Sequence, residues 1–161
     1  MFKFFKKATT KKVAIIAPAT GELMPITDVS DELFAQKAIG DGYAVRPANN
    51  ALYAPVSGKI TSIFPTKHAI LFTTVDGLEI LFHMGVDTVE LKGVAFDLTV
   101  SEGQTVQAGE AIGKMDRSKV LAAGKSDELI VIFTNMEIIK HFPEISKAEV
   151  SHGEILGEIR L

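Results

Sequence analysis

At 161 residues, 47% of them hydrophobic, the chain is long enough for one domain that buries roughly two thirds of its unfolded surface, with no need of a covalent staple. It has no cysteine, which excludes disulfides, thiolate nucleophiles and cysteine-ligated metals. The formal net charge is −3, but Lys3, Lys6, Lys7, Lys11 and Lys12 crowd the first twelve residues, so the body sets 12 basic against 20 acidic residues, a net of −8; such a body repels nucleic acid and suits a basic partner surface.

Residues 1–12 read as a flexible basic tail and residues 13–161 as a single domain. Met1 to Lys7 could open a signal peptide, but the apolar stretch from Val13 to Ala19 is short and broken by Pro18, so a mobile tail is the expectation. Phe2, Phe4 and Phe5 beside the lysines offer at most weak contact with an anionic membrane. No run approaches the roughly 18 apolar residues of a membrane span. A cytoplasmic, free-standing protein is the expectation.

In chain order, Val13 to Ala17 reads as a strand, Pro18 to Gly21 as a turn and Glu22 to Ile26 as the next strand. The pattern Ala17-Pro18-Ala19-Thr20-Gly21-Glu22-Leu23 returns as Ala54-Pro55-Val56-Ser57-Gly58-Lys59-Ile60. A second echo relates Val100-Ser101-Glu102-Gly103-Gln104 to Val150-Ser151-His152-Gly153-Glu154. Between the first copies, Asp31 to Ala38 suits a short helix capped by Ser30. Gly40-Asp41-Gly42 reads as a tight turn before a strand from Tyr43 to Arg46.

Further along, Thr88 to Leu91 and Ala95 to Val100 alternate like strands, and Ile112 to Met115 closes a hairpin. Asp116 to Ala123 is compatible with a helix, and Leu129 to Phe133 is a continuous apolar run suited to a strand buried on both faces. Thr134 to Glu137 is placed near the candidate active face, and Met136 to His141 is a short helical segment stopped by Pro143. Short turn-bounded strands with internal repeats indicate an all-β fold, an antiparallel sandwich or barrel with short helical turns.

The segment from Phe64 to Val94 folds back at Asp76-Gly77, a strong hairpin signal because Gly supplies positive φ freely. A two-residue loop pairs positions that sum to 153, so Ile70 faces His83 and His68 becomes its diagonal neighbour on one exposed face. Ile70, Phe72 and Leu81 would then surround the two imidazoles, and Ala69, Leu71, Phe82 and Met84 would face the core. A bulged three-residue loop is the way this pairing fails, because a one-residue slip exchanges the faces.

No phosphate-binding loop, dinucleotide fingerprint or serine elbow is present. For the histidine pair three readings compete. Both rings are ordinary surface or satisfied histidines; or they hold zinc with a carboxylate such as Asp87 or Glu137, as a hydrolase would; or they transfer a phosphoryl group through a phosphohistidine. In the last, a neutral imidazole attacks near pH 7 while the other ring donates to the moving phosphoryl oxygens. From another class, Val100 to Ile112 followed by Asp116-Arg117-Ser118-Lys119-Val120 resembles the hairpins of lipoyl or biotinyl carrier domains, with Lys119, near a candidate turn, as attachment point. His141 and His152 read as solvated surface.

The block His83-Met84-Gly85-Val86-Asp87-Thr88-Val89-Glu90-Leu91-Lys92-Gly93, with Thr66-Lys67-His68-Ala69 and Ala54-Pro55-Val56-Ser57-Gly58 ahead of it, resembles the glucose-family enzyme IIA of the bacterial phosphoenolpyruvate-dependent sugar phosphotransferase system. The likeness runs from about Val13 to Leu161 and implies a β-sandwich with internal duplication, the duplicated hybrid motif. It implies a phosphotransferase component in which His83 accepts the phosphoryl group from the carrier protein HPr and passes it to a cysteine of a IIB permease domain. His68 is then the partner imidazole, oriented by Thr66, and the Gly85 carbonyl fixes the tautomer of His83. Asp87 is placed to meet an arginine of the carrier, and Phe34, Phe64 and Leu81 form the apolar collar. No cofactor is required. Some family members bind zinc through the two histidines together with a regulated enzyme, so His68 and His83 are also tentative zinc ligands, and regulated metabolic enzymes or transporters are further candidate partners.

Overall fold

The computed structural model describes residues 11–161. The expectations for the basic tail lie outside them except at Lys11 and Lys12, and Lys12 already opens the first strand. The strands are β1 (Lys12–Ile16), β2 (Gly21–Pro25), β3 (Asp41–Pro47), β4 (Ala51–Tyr53), β5 (Gly58–Ile63), β6 (Ala69–Thr73), β7 (Glu79–Val86), β8 (Phe96–Leu98), β9 (Thr105–Val106), β10 (Ala111–Met115), β11 (Ser126–Phe133), β12 (Ala148–Val150) and β13 (Ile155–Arg160). Two short helices, α1 (Glu32–Ala35) and α2 (Arg117–Ala122), and 3₁₀ turns at Ile26–Asp28, Thr88–Leu91 and Met136–Ile138 complete the elements of the described residues. The fold is all-β, as the repeats and turn spacing predict.

Every strand pairing is antiparallel. The main sheet runs β12-β2-β3-β11-β7-β6-β5-β9, beside a sheet β4-β10-β8 and the pair β1-β13. Its central strand β11 is buried on both faces. Leu129, Val131 and Phe133 enter the large core with Tyr43, Phe72, Ile80 and Phe82, while Ile130 and Ile132 enter a smaller cluster with Met24, Ile26, Val29, Phe34 and Ala44. An apolar run without alternation is the expected signature of such a strand, and each fully buried Ile or Val contributes about 1.5–3 kcal/mol.

The duplication is written in the hydrogen bonds. Ile16 N donates to Pro55 O and Tyr53 N donates to Pro18 O, so the two Ala-Pro copies bond to each other at equivalent positions. Ala17 exchanges bonds with Gly153 and Glu154, and Ala54 exchanges the same pair of bonds with Gly109 and Glu110. The turns Ser101–Gln104 and Ser151–Glu154, matched by sequence, each close with a side chain at the fourth residue accepting from the first N–H. A third turn of this kind, Gln107–Glu110, has the same closure.

Three local expectations change. Gly40-Asp41-Gly42 is no tight turn: Asp41 and Gly42 begin β3, and a Cβ at Gly42 would overlap the Val131 carbonyl of β11, so these glycines serve close strand approach. The cap of α1 is Asp31, whose side chain accepts from Phe34 N, and not Ser30. Thr88–Leu91 is a 3₁₀ turn and not a strand. Asp87 and Lys92 bound it in left-handed conformations, φ 61° and 53°, which break extended geometry at both ends.

Candidate functional site

The smaller cluster places the site. On the outer face of the main sheet, Ile26, Val29 and Phe34 close over Met24, Ala44, Ile130 and Ile132, with Leu81 packed against them. His83 shares that face with Leu81, two residues along β7, and lies opposite Ile130 and Ala69. It therefore sits at the rim of an apolar lid, half-buried.

The hairpin register differs from the expected one. Ala69 faces His83, Ile70 faces Phe82 and Leu71 faces Leu81, one residue out of the two-residue-loop pairing. Thr74 N donates to Leu78 O and Gly77 N to Thr74 O, so the loop is Val75-Asp76-Gly77, with Gly77 at φ 92°, a three-residue bulged turn. Consequently Ile70 and Phe72 are core residues, at 0% and 1% exposure, and do not border the histidines. Leu71 and Thr73 take the outer face with Ala69.

His68 still reaches His83, because it stands outside β6 where the pleat no longer dictates direction. It follows Lys67, held at φ 61° in the loop that Lys67 N and Phe64 O close. The ring centroids of His68 and His83 lie 5.0 Å apart, nearly perpendicular at 79°. Phe64 meets His68 edge-on at 5.3 Å and Phe34 meets His83 at 5.1 Å. The pair is recessed, contrary to the exposed patch expected: His68 is only 6% exposed, forming the floor of the site.

Each ring is held at Nδ1. His83 Nδ1–H donates to Gly85 O at 2.7 Å; a carbonyl only accepts, so the proton is on Nδ1 and the free lone pair on Nε2. His68 Nδ1 lies 2.6 Å from Thr66 Oγ1 in a hydrogen bond. Burial, with His83 as a second cause, pushes the His68 pKa down to about 4. Burial also lowers that of His83, against the upward pull of the Gly85 carbonyl and of Asp31 and Asp87. Both rings are neutral at pH 7, the state a nucleophilic imidazole requires.

Gly85 is required twice over. It lies at φ 82° in a bulge where β11 carries an extra residue between Ser126 and Leu129. There Thr88 Oγ1 donates to Met84 O at 2.6 Å. A Cβ on Gly85 would fall on Thr88 Cγ2 and within 2.9 Å of Ser126 O. Left-handed backbone costs a non-glycine residue ~1–2 kcal/mol and overpacking another ~1–3 kcal/mol. Gly85→Ala is therefore expected to lower the melting temperature by about 10 °C and to release the His83 ring, read as loss of the slow-exchanging Nδ1 proton in NMR spectra.

A protein-family model described as phosphoenolpyruvate-dependent sugar phosphotransferase system, EIIA 1, matches residues 13–139. The chain belongs to this family. As an EIIA component it is a phosphocarrier of the sugar phosphotransferase system. It is 36% identical over 154 residues to the "PTS system glucose-specific EIIA component" of Oceanobacillus iheyensis, covering 96% of this chain and 93% of that one. It is 45% identical over 136 residues to the "PTS system glucose-specific EIICBA component" of Streptococcus pneumoniae, covering 84% of this chain but only 18% of that longer protein. The solved structure titled glucose permease IIA from Mycoplasma capricolum superposes with a TM-score of 0.86 at 36% identity, over 98% of this chain and 99% of that one.

Within this EIIA fold, Thr66, His68, His83, Gly85, Phe34 and Phe64 come together, with Leu81 behind Phe34, and Asp87 exposed beside His83. Thr134 to Glu137 does not join them. Asn135 bonds Gly77 O and Glu79 N, which ties that segment to the hairpin turn, the end of β7 remote from His83. Among the described residues no group of three or more His, Asp or Glu stands ready to hold a metal, and none of the helices is long and apolar enough to cross a membrane. Lys119 lies within α2, not at the hairpin tip a carrier lysine needs. His141 and His152 are exposed, the latter stacked on Tyr53 at 4.0 Å.

Sequence reasoning missed Asp31 and Glu128. Ser30 and Asp31 are equally good capping residues by type, and only the structure separates them, with the Asp31 side chain accepting from Phe34 N. Glu128 gave no signal, since the acidic pair Asp127-Glu128 ahead of an apolar run reads as a solvated strand entry.

Proposed function

We propose that Nε2 of His83 takes the phosphoryl group from the phosphohistidine of HPr and passes it to the cysteine of a IIB domain in a glucose-type permease. The observation that carries this reading is the 2.7 Å bond from His83 Nδ1–H to Gly85 O, which leaves the Nε2 lone pair directed away from the backbone beside a second imidazole. In uptake that lone pair forms the new N–P bond as the donor's N–P bond breaks, and the donor ring leaves with the electron pair. In discharge the incoming thiolate forms S–P and His83 recovers its lone pair.

His68 is the stabiliser. The Thr66 hydroxyl donates to His68 Nδ1, which keeps the His68 proton on Nε2 as a donor to the phosphoryl oxygens. Asp31 and Asp87 favour a cationic donor surface, and Phe34, Phe64 and Leu81 supply the dry collar around it. The unit is the single domain of residues 13–161, acting in the cytoplasm, and the relatives' glucose-specific names support the choice of permease. Two imidazoles with both Nδ1 atoms engaged supply half of a tetrahedral zinc shell, so zinc is an auxiliary state completed by a partner, and hydrolysis by this chain alone is disfavoured.

The test is incubation with phosphoenolpyruvate, enzyme I and HPr. One equivalent of acid-labile, base-stable phosphate is expected, identified by NMR as Nε2-phosphohistidine. With the pKa of both rings depressed by burial, uptake falls off on acidification only below the pH at which an ordinary imidazole protonates. Absence of phosphate, or its recovery on Nδ1, overturns the reading.

A further inference from the structure

The hydrogen bonds of residues 26–38, the segment that lays Phe34 and Asp31 against His83, run to neighbours within the same segment with one exception among the described residues, and the other polar ties are the solvent-facing ion pairs Lys37–Asp41 and Lys147–Asp28. At Ser30, both the backbone N–H and the hydroxyl donate to the carboxylate of Glu128, at 2.9 and 2.8 Å. Glu128 is 2% exposed and accepts a third bond from Arg46 Nη2 at 3.2 Å. Arg46 is itself held by Glu22 at 3.1 Å.

A carboxylate so deeply placed is unfavourable unless its partners stay in position. Its own position is fixed, because Glu128 lies in the β11 bulge opposite Gly85, whose carbonyl holds His83. The apolar contacts of Phe34, Val29 and Ile26 press the segment onto the sheet without direction. The carboxylate adds direction and height at the residue next to Asp31.

We propose that Glu128 is a positioning residue for phosphoryl uptake, tying Ser30 to the sheet so that Asp31 and Phe34 stand in fixed relation to the His83 ring. This rests on His83 being the acceptor. Loss of the clamp leaves the nucleophile intact but lets the apolar and acidic flank of its site drift, which weakens docking of the phosphorylated donor more than the chemical step.

A control is built into the same strand. Asp127 is 6% exposed and accepts from Arg117 Nε at 2.9 Å, but its partner belongs to α2, away from the Phe34 segment. The experiment compares Glu128→Gln, Ser30→Ala and Asp127→Asn in the full chain. Uptake is measured at low and saturating phospho-HPr, and the ring-current displacement that Phe34 imposes on the His83 carbon-bound protons is read by NMR.

Glu128→Gln is expected to reduce uptake at low donor by about tenfold, to lose much less at saturation, and to move the His83 signals. Ser30→Ala does the same more weakly and not additively with it. Asp127→Asn lowers thermal stability without moving those signals or the uptake per folded molecule. Unmoved His83 signals in Glu128→Gln, or equal movement in Asp127→Asn, overturn the proposal. The NMR readout needs no phosphate, so a wild-type protein phosphorylated elsewhere would defeat the functional reading while leaving the clamp standing.

Discussion

His83→Gln takes up no phosphate above background from phospho-HPr. The glutamine amide can still donate to Gly85 O and roughly fills the volume beside Phe34, so the site keeps its shape. It offers no basic nitrogen lone pair, because amide resonance withdraws it, and the covalent intermediate has nowhere to form. His83 is half-buried and its only backbone partner is retained, so stability changes by no more than about 1 kcal/mol. A folded variant, checked by its melting curve, that still yields acid-labile phosphate would remove His83 from the relay.

His68→Gln separates the two halves of that relay. Uptake persists, because the donor brings its own groups to the phosphoryl it surrenders. Onward transfer to the IIB cysteine falls by roughly a hundredfold or more, the usual cost of deleting one donor to the oxygens of a transition state. In the free protein the pKa of His68 is held down to about 4, by burial first and by His83 second, so it is a neutral donor. A phosphoryl dianion on the ring 5.0 Å away raises that pKa and strengthens the donor when it is needed. Single-turnover measurement of both steps decides it: transfer at the wild-type rate by this variant refutes the role.

Much of this was legible in the residues. The all-β class, the duplication and the doubly buried β11 follow from turn spacing, the two Ala-Pro copies and the run from Leu129 to Phe133. The meeting of His68 and His83 was reached by a pairing the molecule does not use. Asp76-Gly77 signals a hairpin but leaves its loop length open, and one extra residue exchanges Ile70 and Phe72 with Ala69 and Leu71. The rings meet because Lys67, in a left-handed conformation, turns His68 out of the pleat, and lysine carries no signal for that conformation. Thr88–Leu91 misled in the same way, since alternation over four residues suits a strand or a 3₁₀ turn. Glu128 was invisible because the partners that justify its burial, Ser30 and Arg46, lie 98 and 82 residues away.

The hairpin has two poles. His83 and Ala69 occupy one, and the other is the Val75-Asp76-Gly77 loop, where Lys11 Nζ stands 3.6 Å from Asp76 and Leu161 N donates to Lys11 O. Both described ends of the chain thus leave together beside that loop, beyond the four strand residues, about 13 Å, that separate Glu79 from the reactive ring. A segment joined past Lys11 or Leu161 would enter at this loop pole, raising the local concentration of its cargo on the side away from His83.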